Sequence, residues 1–239
     1  MGGNPDEYQT GIMIDVIIPA FNEENAIGKV IQDIPNVVRE IVVVDNNSTD
    51  STFETARVAG ATVLKEARKG YGYACLKGIE HLIQKPQRPD IIVFLDGDYS
   101  DYPEELPLLT EPIIKEKFDM VIGARNAAYR TKGAMTPQQV FGNWLACTLM
   151  RMFYNAHYTD LGPFRAIRTD RLLDMKMEDK TYGWTVEMQL KALKHRLKYT
   201  EVPVRYRARI GESKVSGTVK GTIMAGYKIL GWIFKYSIQ

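Results

Sequence analysis

Five short apolar runs, rich in β-branched residues, divide the first half of the chain: Met13–Phe21, Glu40–Val44, Ala61–Ala67, Asp90–Asp98 and Asp119–Arg125. Each is too short for a stable helix and is bounded by Pro, Gly, Asn or Asp, so each reads as a buried strand. Between them lie segments whose apolar residues recur every three or four positions: Asn22–Ile34, Thr49–Ala59 and Gly70–Ile83. Strands alternating with helices predict an α/β fold with a mostly parallel central sheet and helices on both faces. Ligands of such sheets collect outside the carboxyl ends of the strands. Pro19, Asp45, Asp96 and Arg125 all stand at or just past predicted strand ends, so they are expected to converge on one edge.

The second half changes character. Gln139–Asn155 is a strongly apolar helix candidate, and Arg168–Met175 and Thr185–His195 read as shorter helices. Lys198–Arg209 alternates like a strand, and Pro203 points to the sheet edge. Gly217–Tyr236 reads as a final helix. The expected organisation is a flexible leader over 1–12 and one domain over 13–239, with apolar or amphipathic helices at 138–156 and 217–236. A chain of 239 residues, 45% hydrophobic and 25% charged, is globular in composition. A net charge of +2 gives no basic field for nucleic acid. The leader lacks a signal peptide's basic start and apolar middle, and no apolar run reaches the roughly 20 residues that span a bilayer. Cys75 and Cys147 are far apart and form no disulfide framework, which fits a reducing cytoplasm.

The stretch Ile91–Leu106 carries the sharpest chemistry, because its apolar run leads straight into Asp96, Gly97 and Asp98. Two acids at a ligand-binding edge repel each other, and Gly97 permits a tight turn or a close backbone approach. A hard divalent cation gives a reason to hold them together, since Mg²⁺ favours one or two carboxylates plus phosphate oxygens. A solvated Asp-Gly turn is the alternative reading.

Four motifs occur in order at the strand ends: IPAFNEE, VVVDNNSTDST, RKGYGYA and FLDGDYSDYPEEL. Together they resemble the family 2 glycosyltransferases, inverting enzymes of the nucleotide-sugar (GT-A) fold. GARN, DLGPFRAIR and RARIGESK look like the later motifs of the branch typified by dolichol-phosphate mannose synthase and its polyprenyl-phosphate relatives. The resemblance runs from about Asp15 to Lys235. It implies that Pro19, Ala20, Asn22 and Glu23 line the nucleoside end of a pocket. By the same resemblance Asp45 contacts base or ribose with help from Asn46, and Lys69 and Gly70 stand beside the nucleotide. Asp96 and Asp98 become the motif for Mg²⁺ or Mn²⁺, with Asp98 the direct ligand. Ser100 stands where some relatives have glutamine, and Asp101 offers a further carboxylate. Arg125, Arg165, Arg209, Ser213 and Lys214 supply groups for phosphates or an anionic acceptor, guanidinium being suited to bidentate phosphate contacts. Pro163 interrupts the family's glycine–aromatic–arginine run.

The implied reaction moves a hexose from a nucleotide-diphosphate sugar, UDP favoured over GDP, to a polyprenyl phosphate. If the acceptor is instead a hydroxyl, a general base is needed, and Asp160 and Glu187 are the candidates. His81, His157 and His195 show no metal spacing and receive no role. On a helical wheel of Gly217–Tyr236, Val219, Ile223, Tyr227, Leu230 and Phe234 share a face beside Lys220, Lys228 and Lys235, with Trp232 and Tyr236 as interface-loving residues. That pattern suits a helix lying on the cytoplasmic membrane surface; packing on the protein's own core or in a homo-oligomer interface is the alternative. A soluble transferase acting on a saccharide or metabolite hydroxyl and a non-catalytic nucleotide-binding protein are the competing functions. The acids Asp45, Asp96 and Asp98 argue against the second of these.

Overall fold

The computed structural model describes residues 11–211 and 219–237. Its strands are β1 (Ile14–Ala20), β2 (Glu40–Asp45), β3 (Thr62–Lys65), β4 (Ile91–Phe94), β5 (Met120–Ala124), β6 (Arg165–Arg168) and β7 (Tyr199–Pro203). Its helices are α1 (Ile27–Gln32), α2 (Thr52–Val58), α3 (Tyr71–Ile83), α4 (Leu106–Glu116), α5 (Pro137–Tyr154), α6 (Thr169–Met175), α7 (Trp184–Lys194) and α8 (Val219–Ser237). The strands form one sheet in the order β3-β2-β1-β4-β6-β5-β7. All neighbours pair in parallel except β6, which runs antiparallel to both β4 and β5. The carboxyl ends of β1, β2, β4 and β5 therefore share one edge, as the sequence predicts.

Burial on both faces explains why the strands read as continuous apolar runs rather than alternating ones. Ile17, Val42, Val44, Ile92, Phe94, Met120 and Ile122 face one core layer, with α3, α6, α7 and part of α8. Ile18, Val43, Val93, Leu95 and Val121 face the other, with α1 and α4. Helix α3 crosses β1 closely because Gly78 has no side chain there. A Cβ at Gly78 would stand 2.7 Å from Ile17 Cγ2.

Three elements depart from expectation. Helix α1 begins only at Ile27, because Asn22 takes a left-handed conformation (φ 55°) and residues 21–26 turn irregularly. Helix α4 goes unrecognised in sequence because Pro107 and Pro112 argue against it. Pro107 lies in the first turn, where no intrahelical N–H is needed, and Pro112 is accommodated inside. Strand β6 is the four residues RAIR, with an arginine at each end and no apolar run to mark it. Strand β7 closes the sheet edge with Pro203 as its last residue.

A charge pair ties β1 to the residue that precedes β2. Asp15 on β1 is fully buried, and Arg39 donates to it twice, Nε to Oδ1 at 3.0 Å and Nη2 to Oδ2 at 2.5 Å. Removing the arginine strands a buried carboxylate, which is costlier than losing a surface pair. Arg39→Ala is expected to lower unfolding free energy by about 3 kcal/mol in urea denaturation, and Arg57→Ala, which breaks only the exposed pair with Glu54, by about 0.5 kcal/mol or less.

Candidate active site

The chain leaves β1 for β2 on one side, while β4 pairs with β1 on the other. This switch point opens a crevice at the carboxyl edge, the place where such sheets bind ligands. A cleft of about 260 Å³ occupies it, lined by Pro19, Ala20, Phe21, Glu23, Asn46, Lys69, Gly70, Tyr71, Ala74, Asp96, Gly97, Asp98, Tyr182 and Arg209. Ten of these residues come from the sequence reading. Among the described residues, Asn22, Asp45, Arg125, Asp160, Arg165 and Glu187 do not line it. Ser213 and Lys214 lie outside the described residues.

The acids form the floor. The Tyr71 hydroxyl donates to Asp96 Oδ1 at 3.0 Å. Burial, and then the charge of Asp98, push the Asp96 carboxyl up to about 6 despite that bond. Asp98 accepts from the Ser100 amide (2.9 Å) and hydroxyl, and Arg209 Nη1 stands 3.2 Å from its Oδ2. Arg209 also donates to Glu23 Oε1 at 2.7 Å, so its guanidinium spans the cleft between two acids. Between Asp98 and Ser100, Tyr99 adopts φ 64°, a strained conformation for an aromatic residue, here at the turn that edges the cleft. Asp101 is 1% exposed and neither of its oxygens has a partner. Burial, and then the charges of Asp96 and Asp98, raise it well above the carboxylate range.

The segment after β7 holds this floor from above. The Arg207 amide donates to the Ser100 carbonyl, and the Ile210 amide to the Asp98 carbonyl, both at 2.9 Å. The Arg207 side chain donates to the Tyr99 and Asp101 carbonyls, and its guanidinium lies over the rings of both Tyr99 and Tyr102. The opposite wall rests on Asn46, which donates to the carbonyls of Glu66 and Arg68 and accepts from the Gly70 amide. Asn46 thus frames the Lys69–Gly70 turn. Asn22 and Asp45 are engaged in the loops beneath, where Asn22 accepts from the Thr49 amide and Asp45 from the Ser48 amide.

Four residues expected at the chemistry, Glu187, Arg165, Asp160 and Arg125, are committed elsewhere. Glu187 is fully buried. Its two oxygens accept the amides of Glu178 (2.7 Å) and Asp179 (2.8 Å), and Lys191 Nζ pairs with it at 2.9 Å. It therefore anchors a loop instead of facing an acceptor. Arg165 is fully buried and donates to the carbonyls of Leu161, Gly162 and Thr185, so no guanidinium face is left for a phosphate. Asp160 takes three bonds from Arg125: the amide, Nε and Nη2, at 2.7, 2.8 and 2.6 Å. Burial raises Asp160, but the Arg125 charge and hydrogen bonds outweigh it and hold the carboxyl below its usual range. Tyr71, Tyr182 and Phe21 line the cleft without having been singled out. Tyr71 was findable, because it opens α3 directly after the Lys69–Gly70 turn that aims at the strand edge.

The expected interface helix also differs. Trp232 and Ile233 are buried, and the Trp232 indole N–H donates to Asp179 Oδ2 at 2.7 Å. Lys228 and Lys235 pair with Asp179 and Glu178, at 3.6 and 3.5 Å. Tyr227 and Phe234 remain exposed, and Phe234 meets Phe153 of α5 edge-on at 5.7 Å. Val140, Phe141, Trp144 and Met152 continue an exposed apolar surface along α5.

Solved structures share this architecture. Glucosyl-3-phosphoglycerate synthase from Mycobacterium tuberculosis, crystallised with Mn²⁺, UDP and phosphoglyceric acid, matches with a TM-score of 0.77 at 20% identity, over 97% of this chain and 80% of that one. The fold is thus that of the GT-A glycosyltransferases. The model of glycosyl transferase family 2 matches residues 15–177, and the chain belongs to that family of enzymes. An uncharacterized glycosyltransferase of M. tuberculosis is 33% identical over 218 residues, 90% of this chain and 95% of the relative. A dolichyl-phosphate hexose transferase of Haloferax volcanii is 34% identical over 207 residues, 84% of this chain and 85% of the relative.

The Tyr71 hydroxyl stabilises the ionised form of Asp96. In the metal-free protein, Tyr71→Phe is expected to move the Asp96 titration upward from about 6. A gain of roughly half a pH unit to one unit corresponds to one lost hydrogen bond, and carboxyl ¹³C shifts followed against pH read it directly.

Proposed function

We propose that this glycosyltransferase carries a hexose from a UDP-sugar to a polyprenyl phosphate, with a divalent cation in the cleft. The observation that carries the reading is the acidic floor at the switch point. Two crowded carboxylates, one of them pushed up to about 6 by burial and its neighbour, leave negative charge that a cation would balance. Among the described residues no cluster of three or more His, Cys, Asp or Glu side chains could hold a metal by itself, which suits a site completed by donor phosphate oxygens. Asp96 and Asp98 would hold Mg²⁺ or Mn²⁺, which supplies charge stabilisation for a departing diphosphate.

The chain's own residues have the following parts. Phe21 and Tyr182 offer aromatic faces at the cleft, and Lys69, held over the Phe21 ring, contributes positive charge beside the nucleotide. Arg209 is the cation within the cleft suited to a phosphate, once it exchanges Asp98 and Glu23 for phosphate oxygens. A phosphate acceptor is already anionic near neutral pH and attacks the anomeric carbon without a general base. This agrees with the engagement of Glu187 and Asp160, whose oxygens are taken by amides, lysine and arginine.

The lipid acceptor is supported by the relative named a dolichyl-phosphate hexose transferase. It is also supported by the exposed aromatic surface of α5 and α8, where Trp144 is 59% and Phe141 60% exposed. Among the described residues no helix is long and apolar enough to cross a membrane, so contact would be at the interface. A small phosphorylated acceptor is the second reading, favoured by the structural neighbour solved with phosphoglyceric acid. Both acceptors carry an anionic phosphate, but only in the lipid is that phosphate necessarily the nucleophile; phosphoglycerate also offers a hydroxyl, which would need a general base.

Nucleoside diphosphate release from a panel of UDP- and GDP-sugars, with Mn²⁺ and with either polyprenyl phosphate in vesicles or phosphoglycerate, separates the two readings. Turnover only with the lipid supports the proposal; turnover only with the soluble acid replaces it. Asp98→Ala is expected to lower kcat/KM by about 10³-fold, equivalent to some 4 kcal/mol of transition-state stabilisation, while circular dichroism stays native. Trp144→Ala combined with Phe141→Ala is expected to reduce flotation with anionic vesicles several-fold and leave UDP binding unchanged; undiminished flotation removes this surface from the membrane contact.

A further inference from the structure

Helix α8 is tied to the donor cleft through one buried carboxylate that the reaction itself does not use. Asp179 lies in the loop between α6 and α7 and is 2% exposed. Its Oδ1 accepts the amides of Thr181 (2.7 Å) and Gly183 (3.0 Å), which closes a tight turn over residues 179–183. Its Oδ2 accepts the Trp232 indole N–H at 2.7 Å, with Lys228 Nζ 3.6 Å away. The Asp179 amide is itself held by Glu187 at 2.8 Å.

The turn is compressed between two partners. Towards the cleft, the Tyr73 amide donates to the Lys180 carbonyl at 3.1 Å. A Cβ on Gly70 would fall 2.2 Å from the Lys180 oxygen, and one on Gly72 would fall 2.0 Å from the Asp179 oxygen. Towards α8, a Cβ on Gly183 would fall 2.5 Å from the Trp232 ring. At Gly70 and Gly72 the contacts below 3 Å are to backbone atoms and leave no room for adjustment, and at Gly183 they are to the buried, hydrogen-bonded Trp232 and Asp179 side chains, so these glycines suit the close approach of three layers. The layers are the Lys69–Tyr73 wall of the cleft, the Asp179 turn and helix α8. The turn also carries Tyr182, whose side chain lines the cleft.

We infer that Asp179 is a positioning residue for the donor site, and that it holds Tyr182 and the Gly70–Tyr73 wall in place only while Trp232 of α8 is docked on it. Donor affinity therefore depends on the carboxyl-terminal helix, although no atom of that helix lines the cleft among the described residues. The inference rests on the donor reading proposed above.

The test compares full-length Trp232→Phe and Asp179→Asn with Leu172→Ala, a core truncation on α6 that removes none of the Asp179 hydrogen bonds. Trp232→Phe keeps an aromatic ring and removes the N–H. Calorimetry with UDP and GDP in Mn²⁺ reads affinity, and hydrogen exchange at the Tyr73 amide reads the wall without any nucleotide. The expected result is UDP binding weakened about tenfold in the first two variants, in keeping with a lost hydrogen bond to a charged group, with faster Tyr73 exchange. Donor KM rises in proportion, and acceptor KM stays unchanged. Leu172→Ala is expected to lose stability and keep its UDP affinity. Should Asp179→Asn fail to fold, Trp232→Phe carries the test alone. Unchanged affinity and exchange in folded Trp232→Phe overturns the inference, as does equal weakening in Leu172→Ala. If the unaltered protein binds neither nucleotide, the donor reading falls and this role falls with it, whereas weakened exchange protection alone would still report the mechanical link.

Discussion

Mutual repulsion between Asp96 and Asp98 organises the cleft. The fold places both at the end of a buried strand, where little water screens them, and then surrounds them with compensating groups. Tyr71 donates to one, Ser100 donates to the other and Arg209 pairs with it, and burial together with the two acids pushes the Asp101 carboxyl behind them upward. Each compensating group comes from a different part of the chain: the start of α3, the turn after β4 and the segment after β7. The sheet edge is the place where these three can meet. A buried acidic pair is costly to a fold, and these contacts offset part of that cost.

Much of this was legible in the sequence because strand periodicity and strand-end chemistry are local signals. β1 to β5 and β7 announce themselves as apolar or alternating runs. Knowing that ligands gather at their carboxyl ends was enough to bring Pro19 and Asp96 to one cleft, whereas Asp45 and Arg125, placed by the same reasoning, do not line it, and Lys69 was found only through the family resemblance. The failures share a different cause. β6 carries arginines where a strand signal needs apolar residues, and Arg165 is buried by carbonyl partners that no local pattern reveals. Glu187 occupies a first-turn position that suits either an exposed acid or an anchor. Only the tertiary path of residues 176–183 selects the anchor. Trp232 was read from its helix alone as an interfacial residue, yet its N–H is taken by a carboxylate 53 residues earlier.

These commitments narrow the chemistry. A hydroxyl acceptor asks for a free base, and both carboxylates best placed in sequence to serve are engaged, Glu187 by amides and a lysine and Asp160 by an arginine. An acceptor that arrives ionised makes no such demand. The cations follow the same logic: Arg125 and Arg165 are spent on structure, which leaves Lys69 and Arg209 as the positive groups lining the cleft among the described residues.

The stitching of the acidic turn to the segment after β7 also has a consequence for biosynthesis. Arg207 reaches back 106 residues to the Asp101 carbonyl, and Arg209 reaches back 186 residues to Glu23. At about 5–20 residues per second, the ribosome exposes the acidic turn for roughly 5–20 s before its cover emerges. Through that interval the nascent chain holds its parallel strands and its clustered acids but not the arginines that close over them. The cleft is thus closed only after the last strand of the sheet has emerged, and a chain released before Arg207 would carry the acids without that lock.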